Sequence, residues 1–181
     1  NLVPATLLTG GGSIEQMNII LDGSCKNFIV YDENTTLGMT PGMQHDLVIP
    51  HAFTAVKASY SRVFSNTSGK AVSTLYLPYP TDLPGMQAYE FTLKGVDENG
   101  DKAFCFSPVP LGTRLQANHP YLVRVTDGAT HTLPTMHNVQ VPATPAISTT
   151  AQTSADGNWA FNGTTETLDN AAASALKAYY L

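Results

Sequence analysis

The chain between Phe53 and Val125 is a series of short runs in which apolar and polar side chains alternate, separated by strong turn signals. The runs are 53–64, 73–77, 88–93, 102–106 and 121–125. A period of two places alternate side chains on opposite faces of a strand, and bounding Gly, Pro, Asn and Asp residues are what antiparallel connections require. Upstream, Met17–Leu21 and Asn27–Tyr31 bracket Asp22-Gly23-Ser24, a hairpin signal, because Gly adopts positive φ without a Cβ clash. Asn99-Gly100 joins the runs at 88–95 and 102–106 in the same way, and is the clearest hairpin in the chain. Residues 32–46, polar and rich in Gly and Thr, are predicted to form a loop before Leu47-Val48-Ile49-Pro50, and one more strand is predicted at Asn158–Gly163. Pro134, Pro142 and Pro145 confine any strand between 130 and 150 to a sheet edge, since proline donates no ladder hydrogen bond.

Helix propensity is confined to 169–177, where Asp169 or Asn170 can cap an alanine-rich turn. No internal repeat is visible, which argues against propellers and solenoids. The pattern therefore predicts an all-β fold, a mainly antiparallel sandwich or partly open barrel, with one short helix near 169–177. A single domain spanning 1–181 is expected, with a flexible glycine-ended segment at 1–12. The apolar ending Ala178–Leu181 predicts either a further paired strand or a cut within a longer chain, and a first residue of Asn1 fits a mature or excised form.

Composition narrows the function. Only 13% of residues are charged and the net charge is −5, with Lys and Arg scattered singly. No basic stripe suited to nucleic acid exists, and no apolar run approaches the roughly 18 residues of a membrane-spanning helix. Abundant Thr, Ser, Asn, Gly and Pro suit an extracellular β protein.

Candidate chemistry is sparse. Asp97, Asn99 and Asp101 alternate like calcium ligands, but Lys102 and an apolar strand follow where an acidic ligand should stand, so the hairpin reading wins. His131 and His137 are the closest pair among His45, His51, His119, His131 and His137, at a spacing that converges neither on a helix nor on a strand. No G-x-S-x-G elbow surrounds Gly12-Ser13 or Gly23-Ser24, and no particular carboxylate pair is singled out. Cys25 and Cys105 could form one bridge in an oxidising compartment, but their apolar surroundings favour buried free thiols. The sequons at Asn34, Asn66 and Asn162 mark polar loops. Among the aromatics Tyr31, Tyr60, Tyr76, Tyr79, Tyr89, Tyr121, Tyr179, Tyr180 and Trp159, most are expected in packing; Trp159 is the one whose neighbours would also suit a surface position. No catalytic residue, metal or cofactor is predicted.

The phrases Phe53-Thr54-Ala55, Ala58–Phe64 and Ser73-Thr74-Leu75-Tyr76-Leu77-Pro78-Tyr79 resemble a recurring module of secreted Bacteroidetes surface proteins. The likeness continues through Ala88–Thr92, Gly95-Val96-Asp97, Leu115–Val123 and Trp159–Thr164, and covers about residues 18–165. The family phrase often carries Cys at Tyr76 and Phe at Tyr79, and these departures leave the fold reading intact. The resemblance implies an exported, surface-attached or outer-membrane-associated β module, noncatalytic, used in cell adhesion or as a spacer. A carbohydrate-binding module for polysaccharide capture is the alternative, and a glycoside hydrolase a remote one. Partners would be a host or bacterial surface protein or a glycan, and the resemblance transfers no site residue.

Overall fold

The computed structural model describes residues 18, 20–30, 47–66, 72–96, 98–100, 102–146, 152–153, 159–165 and 170–176. Within them the chain is all-β, with one short helix and no sheet closed into a barrel. The first sheet combines β1 (Ile20–Leu21), β2 (Ser24–Cys25), β3 (Phe28–Val30), β4 (Phe53–Tyr60) and β11 (Met136–Val141). The second has the order β6–β9–β7–β8, from β6 (Val72–Leu75), β7 (Met86–Val96), β8 (Lys102–Pro108) and β9 (Tyr121–Val125), all antiparallel neighbours. Two small ladders complete the fold: β5 (Val63–Ser65) with β10 (Thr130–Thr132), and β12 (Gln152–Thr153) with β13 (Ala160–Phe161). Inner side chains of both large sheets form a single buried cluster, the arrangement of a β-sandwich. Phe28 of β3 bridges it, edge-on to Phe53 at 5.2 Å and to Tyr79, beyond β6, at 6.3 Å.

In the first sheet, β11 pairs antiparallel with β4, while β2 and β3 run parallel to β4 on its other side. Cys25, Ala55 and Val139 form one buried row across this sheet; Phe28, Ala58 and Met136 form the next. Between the rows each strand carries two residues rather than one, and Val56-Lys57 and His137-Asn138 both face outward. The pleat thus reverses along a line crossing three strands, with Asn138 in the left-handed region at φ 52. Asn tolerates that region better than a branched residue would. This line explains why strict alternation fails inside the run at 53–64, which is also two strands, broken at Ser61-Arg62.

Both predicted hairpins form. Asp22 and Gly23 have φ values of 49 and 71, a type I′ turn, so the returning strand starts at Ser24 rather than at Asn27. Val96 pairs with Lys102 across the Asn99-Gly100 loop, and a bulge at Thr92 shifts the β7–β8 register between Phe91 and Leu93. β11 lies at a sheet edge, as its flanking prolines require. Leu47 to Ile49 form a hydrogen-bonded crossing: the Leu47 N–H donates to the Thr165 carbonyl at 2.9 Å and the Thr144 N–H to the Ile49 carbonyl at 2.8 Å. The expected strand at 158–163 is paired only at Ala160–Phe161, and the helix spans Asn170–Ala175 as α1. The segment 1–12, Asn34, Tyr31 and the tail from 177 to 181 lie outside the described residues.

Candidate functional site

At one end of the sandwich, the loop leading into β7 and the loop leaving β8 come together. Thr81 and Leu115 exchange backbone hydrogen bonds of 3.1 and 2.8 Å, an isolated bridge that fastens the two loops at their base. Above it, Arg114 donates from Nε to Asp82 Oδ1 at 2.9 Å and from Nη2 to Asp82 Oδ2 at 3.1 Å. This fork-to-fork pair is solvent-exposed, so its role is to set the spacing of the loops more than to stabilise the fold. Gln87 adds a third tie, donating from Nε2 to the carbonyls of Ala88 and Val109, each at 2.7 Å.

These loops wall an open groove of about 1020 Å³, lined on one side by Asp82 to Gln87, on the other by Leu111 to Arg114, and closed by Thr126, Asp127 and Pro134. Pro110-Leu111-Gly112-Thr113 is a tight turn closed by the Thr113 N–H donating to the Pro110 carbonyl at 3.1 Å. Gly112 has φ 81 while Leu111 keeps a negative φ, which defines a type II turn with Leu111 at its first corner. That corner holds the Leu111 side chain out into solvent, 80% exposed, the most exposed large apolar residue described. Leu83, Pro84 and Pro134 extend the apolar surface across the groove.

Asp127 supplies the charge. Its Oδ1 accepts from the Ala129 N–H at 3.0 Å and lies 2.8 Å from His131 Nε2. The hydrogen bond from His131, then that from Ala129, hold its carboxyl below the usual carboxylate range. The His131 ring in turn packs against Gly85, where a Cβ would overlap it. With Asp82 matched by Arg114, the groove presents one ionised carboxylate beside apolar surface at neutral pH.

A second cluster lies on the outer face of β7 and β8. Phe91 packs against Phe106 at 5.5 Å and Phe104 at 6.1 Å; the β12–β13 hairpin covers them, with Phe161 edge-on to Phe106 at 5.3 Å and Trp159 edge-on to Phe104 at 5.2 Å. Trp159 is half-buried, and Phe104 stays 48% exposed.

Other candidates fall apart in space or lie elsewhere. His131 belongs to β10 and stands behind Asp127 and Gly85, whereas His137, on β11, sits opposite Lys57 of β4. Asn99 is in the β7–β8 turn, and Asp97 and Asp101 lie outside the described residues. Among the described residues no group of three His, Cys, Asp or Glu side chains could hold a metal. Neither described cysteine is in a disulfide; Cys25 is buried, but Cys105 is exposed, contrary to its apolar sequence context, because β8 is an edge strand. Of the tyrosines, Tyr79 and Tyr121 are core residues, and Asn66 and Asn162 are exposed. Sequence reasoning passed over Leu111; its only signal was an apolar residue between Pro110 and Gly112, where turns usually carry polar side chains. Comparison with protein-family models, with curated proteins and with solved structures finds no match.

Proposed function

We propose that the chain is a noncatalytic adhesion module of an exported surface protein, and that it binds a protein partner through the groove beside Leu111. The observation that carries this reading is the 80% exposure of Leu111 on a turn whose geometry fixes it outward. A large apolar side chain held in water beside further apolar surface is the usual mark of an interaction site. Asp127 completes the chemistry, since a partner offering an apolar side chain next to Lys or Arg would match both features. The resemblance to secreted surface modules points in the same direction.

Glycan binding is the second reading, favoured by the half-exposed Phe104 next to Trp159. Those rings meet at 70°, an edge-on pair that offers a sugar less flat surface than two coplanar rings would. Parallel arrays of extracellular proteins and of glycans, probed with the labelled domain, separate the two. The adhesion reading expects signal on proteins that falls in the variant Leu111→Ser. Signal on glycans alone, unchanged by that substitution and lost in Trp159→Ala, would replace it with the lectin reading.

A further inference from the structure

The His119 ring joins three elements through one nitrogen. Its Nε2 lies 2.6 Å from Gln152 Nε2 and 3.1 Å from Glu90 Oε1. The orientation of the Gln152 amide is settled by its other two partners. The Phe91 N–H can only donate, so the Gln152 atom 2.7 Å from it is the oxygen; the Pro120 carbonyl can only accept, so the atom 2.9 Å from it is the nitrogen. The amide therefore offers an N–H to His119, and Nε2 must accept it as an unprotonated ring nitrogen. Glu90 asks the opposite of the same atom, because a carboxylate oxygen can be satisfied only if Nε2 carries a proton. Protonation sets two donors against each other at the 2.6 Å contact and converts the 3.1 Å contact into a charge-assisted hydrogen bond.

Gln152 opens β12, and its side chain ties the β12–β13 hairpin to the Phe91 backbone on β7 and to the turn before β9. We infer that His119 is a pH-sensitive latch: neutral, it holds Gln152 and the hairpin down over the aromatic face of β7 and β8; protonated, it turns to Glu90 and lets the hairpin go. The titratable groups facing the ring among the described residues are Glu90 from β7 and Tyr121 from β9, whose ring centroid is 4.7 Å away. Burial pushes the Tyr121 phenol upward, so it stays neutral throughout the range in which imidazoles titrate. Loss of the Gln152 tie leaves the hairpin held by the Trp159–Phe104 and Phe161–Phe106 contacts alone, so it loosens over the aromatic face of β7 and β8. This device is independent of the groove.

Trp159, the only tryptophan of the chain, sits next to β13 and against Phe104, so its emission reports the docking of the hairpin. Fluorescence and acrylamide quenching are followed from pH 8 to pH 5 in the wild type, His119→Gln and Gln152→Met, with far-UV circular dichroism as a check on the fold. The latch predicts a reversible red shift and easier quenching in the wild type on acidification, a flat response in His119→Gln, and acid-like emission at every pH in Gln152→Met. A wild type whose Trp159 signal does not move, or a His119→Gln variant that repeats the wild-type transition, overturns it. If His119→Gln does not fold, Gln152→Met decides alone: a full wild-type transition in that variant contradicts the latch.

Discussion

Replacing Tyr79 by Phe should stabilise the protein. Tyr79 follows Leu77-Pro78 in the segment after β6, is 0% exposed, and packs edge-on to Phe28. Among the described residues its hydroxyl has no hydrogen-bond partner. Burial, with a smaller contribution from Tyr60, drives its ionisation far above the ordinary phenol range, so the group is a neutral hydroxyl at any working pH. A buried hydroxyl without a partner costs about 1–3 kcal/mol, whereas the void left by one oxygen costs less than the ~1 kcal/mol of a methyl-sized gap. Tyr79→Phe should therefore gain about 1 kcal/mol, which in a domain of this size raises Tm by about 2–4 °C. Tyr121→Phe is the matched control: its hydroxyl accepts from the Gln116 N–H at 3.1 Å, and losing that bond should cost about 0.5–1.5 kcal/mol. Urea denaturation of the three proteins at neutral pH reads both signs. If Tyr79→Phe loses as much stability as Tyr121→Phe, the hydroxyl has a partner and the reasoning fails.

Three further outcomes are expected. Gly85→Ala should lower stability by more than about 1 kcal/mol in thermal melts, since the new Cβ overlaps the His131 ring and the site has φ 73; a neutral effect would show that His131 moves aside freely. Asp127, with its folded pKa depressed, contributes stability that is present above its unfolded value and lost as pH falls through the lower folded one. The destabilisation of Asp127→Asn relative to wild type should accordingly be seen at pH 7 and shrink as pH drops below about 4, and a difference that grows in acid would contradict that assignment. Thiol titration should find one group, Cys105, reacting promptly in the native protein and a second, Cys25, only on unfolding, both without reductant; fewer than two thiols in the unreduced, unfolded protein would indicate a bridge.

Much of the framework was legible before the structure. Asn99-Gly100 and Asp22-Gly23 placed both hairpins because turn geometry is chemistry local to two residues, and the alternation at 88–93 and 121–125 marked strands. The parallel pairing of β2 and β3 with β4 was not visible, since local patterning carries no information on which strands meet or in which direction. Nor was the reversal of the pleat at Val56-Lys57, which depends on matching irregularities in three strands far apart in sequence. The groove escaped for a related reason: Leu83 and Leu111 are separated along the chain and are brought together by the Thr81–Leu115 bridge, the Asp82–Arg114 pair and the Gln87 tie to Val109. His119 stood in the sequence only as one of five scattered histidines, because Glu90 and Gln152, which give it meaning, lie 29 and 33 residues away.

The central claim is that Leu111 anchors a protein partner, and its most direct measurement is the affinity of wild type and Leu111→Ser for a protein identified on the extracellular array. Burying that side chain in a partner is worth about 1.5–3 kcal/mol, so Kd should weaken by about tenfold to a hundredfold, with an unchanged melting temperature for the free domain. An affinity that Leu111→Ser leaves intact would place the binding surface elsewhere on the sandwich and contradict the account.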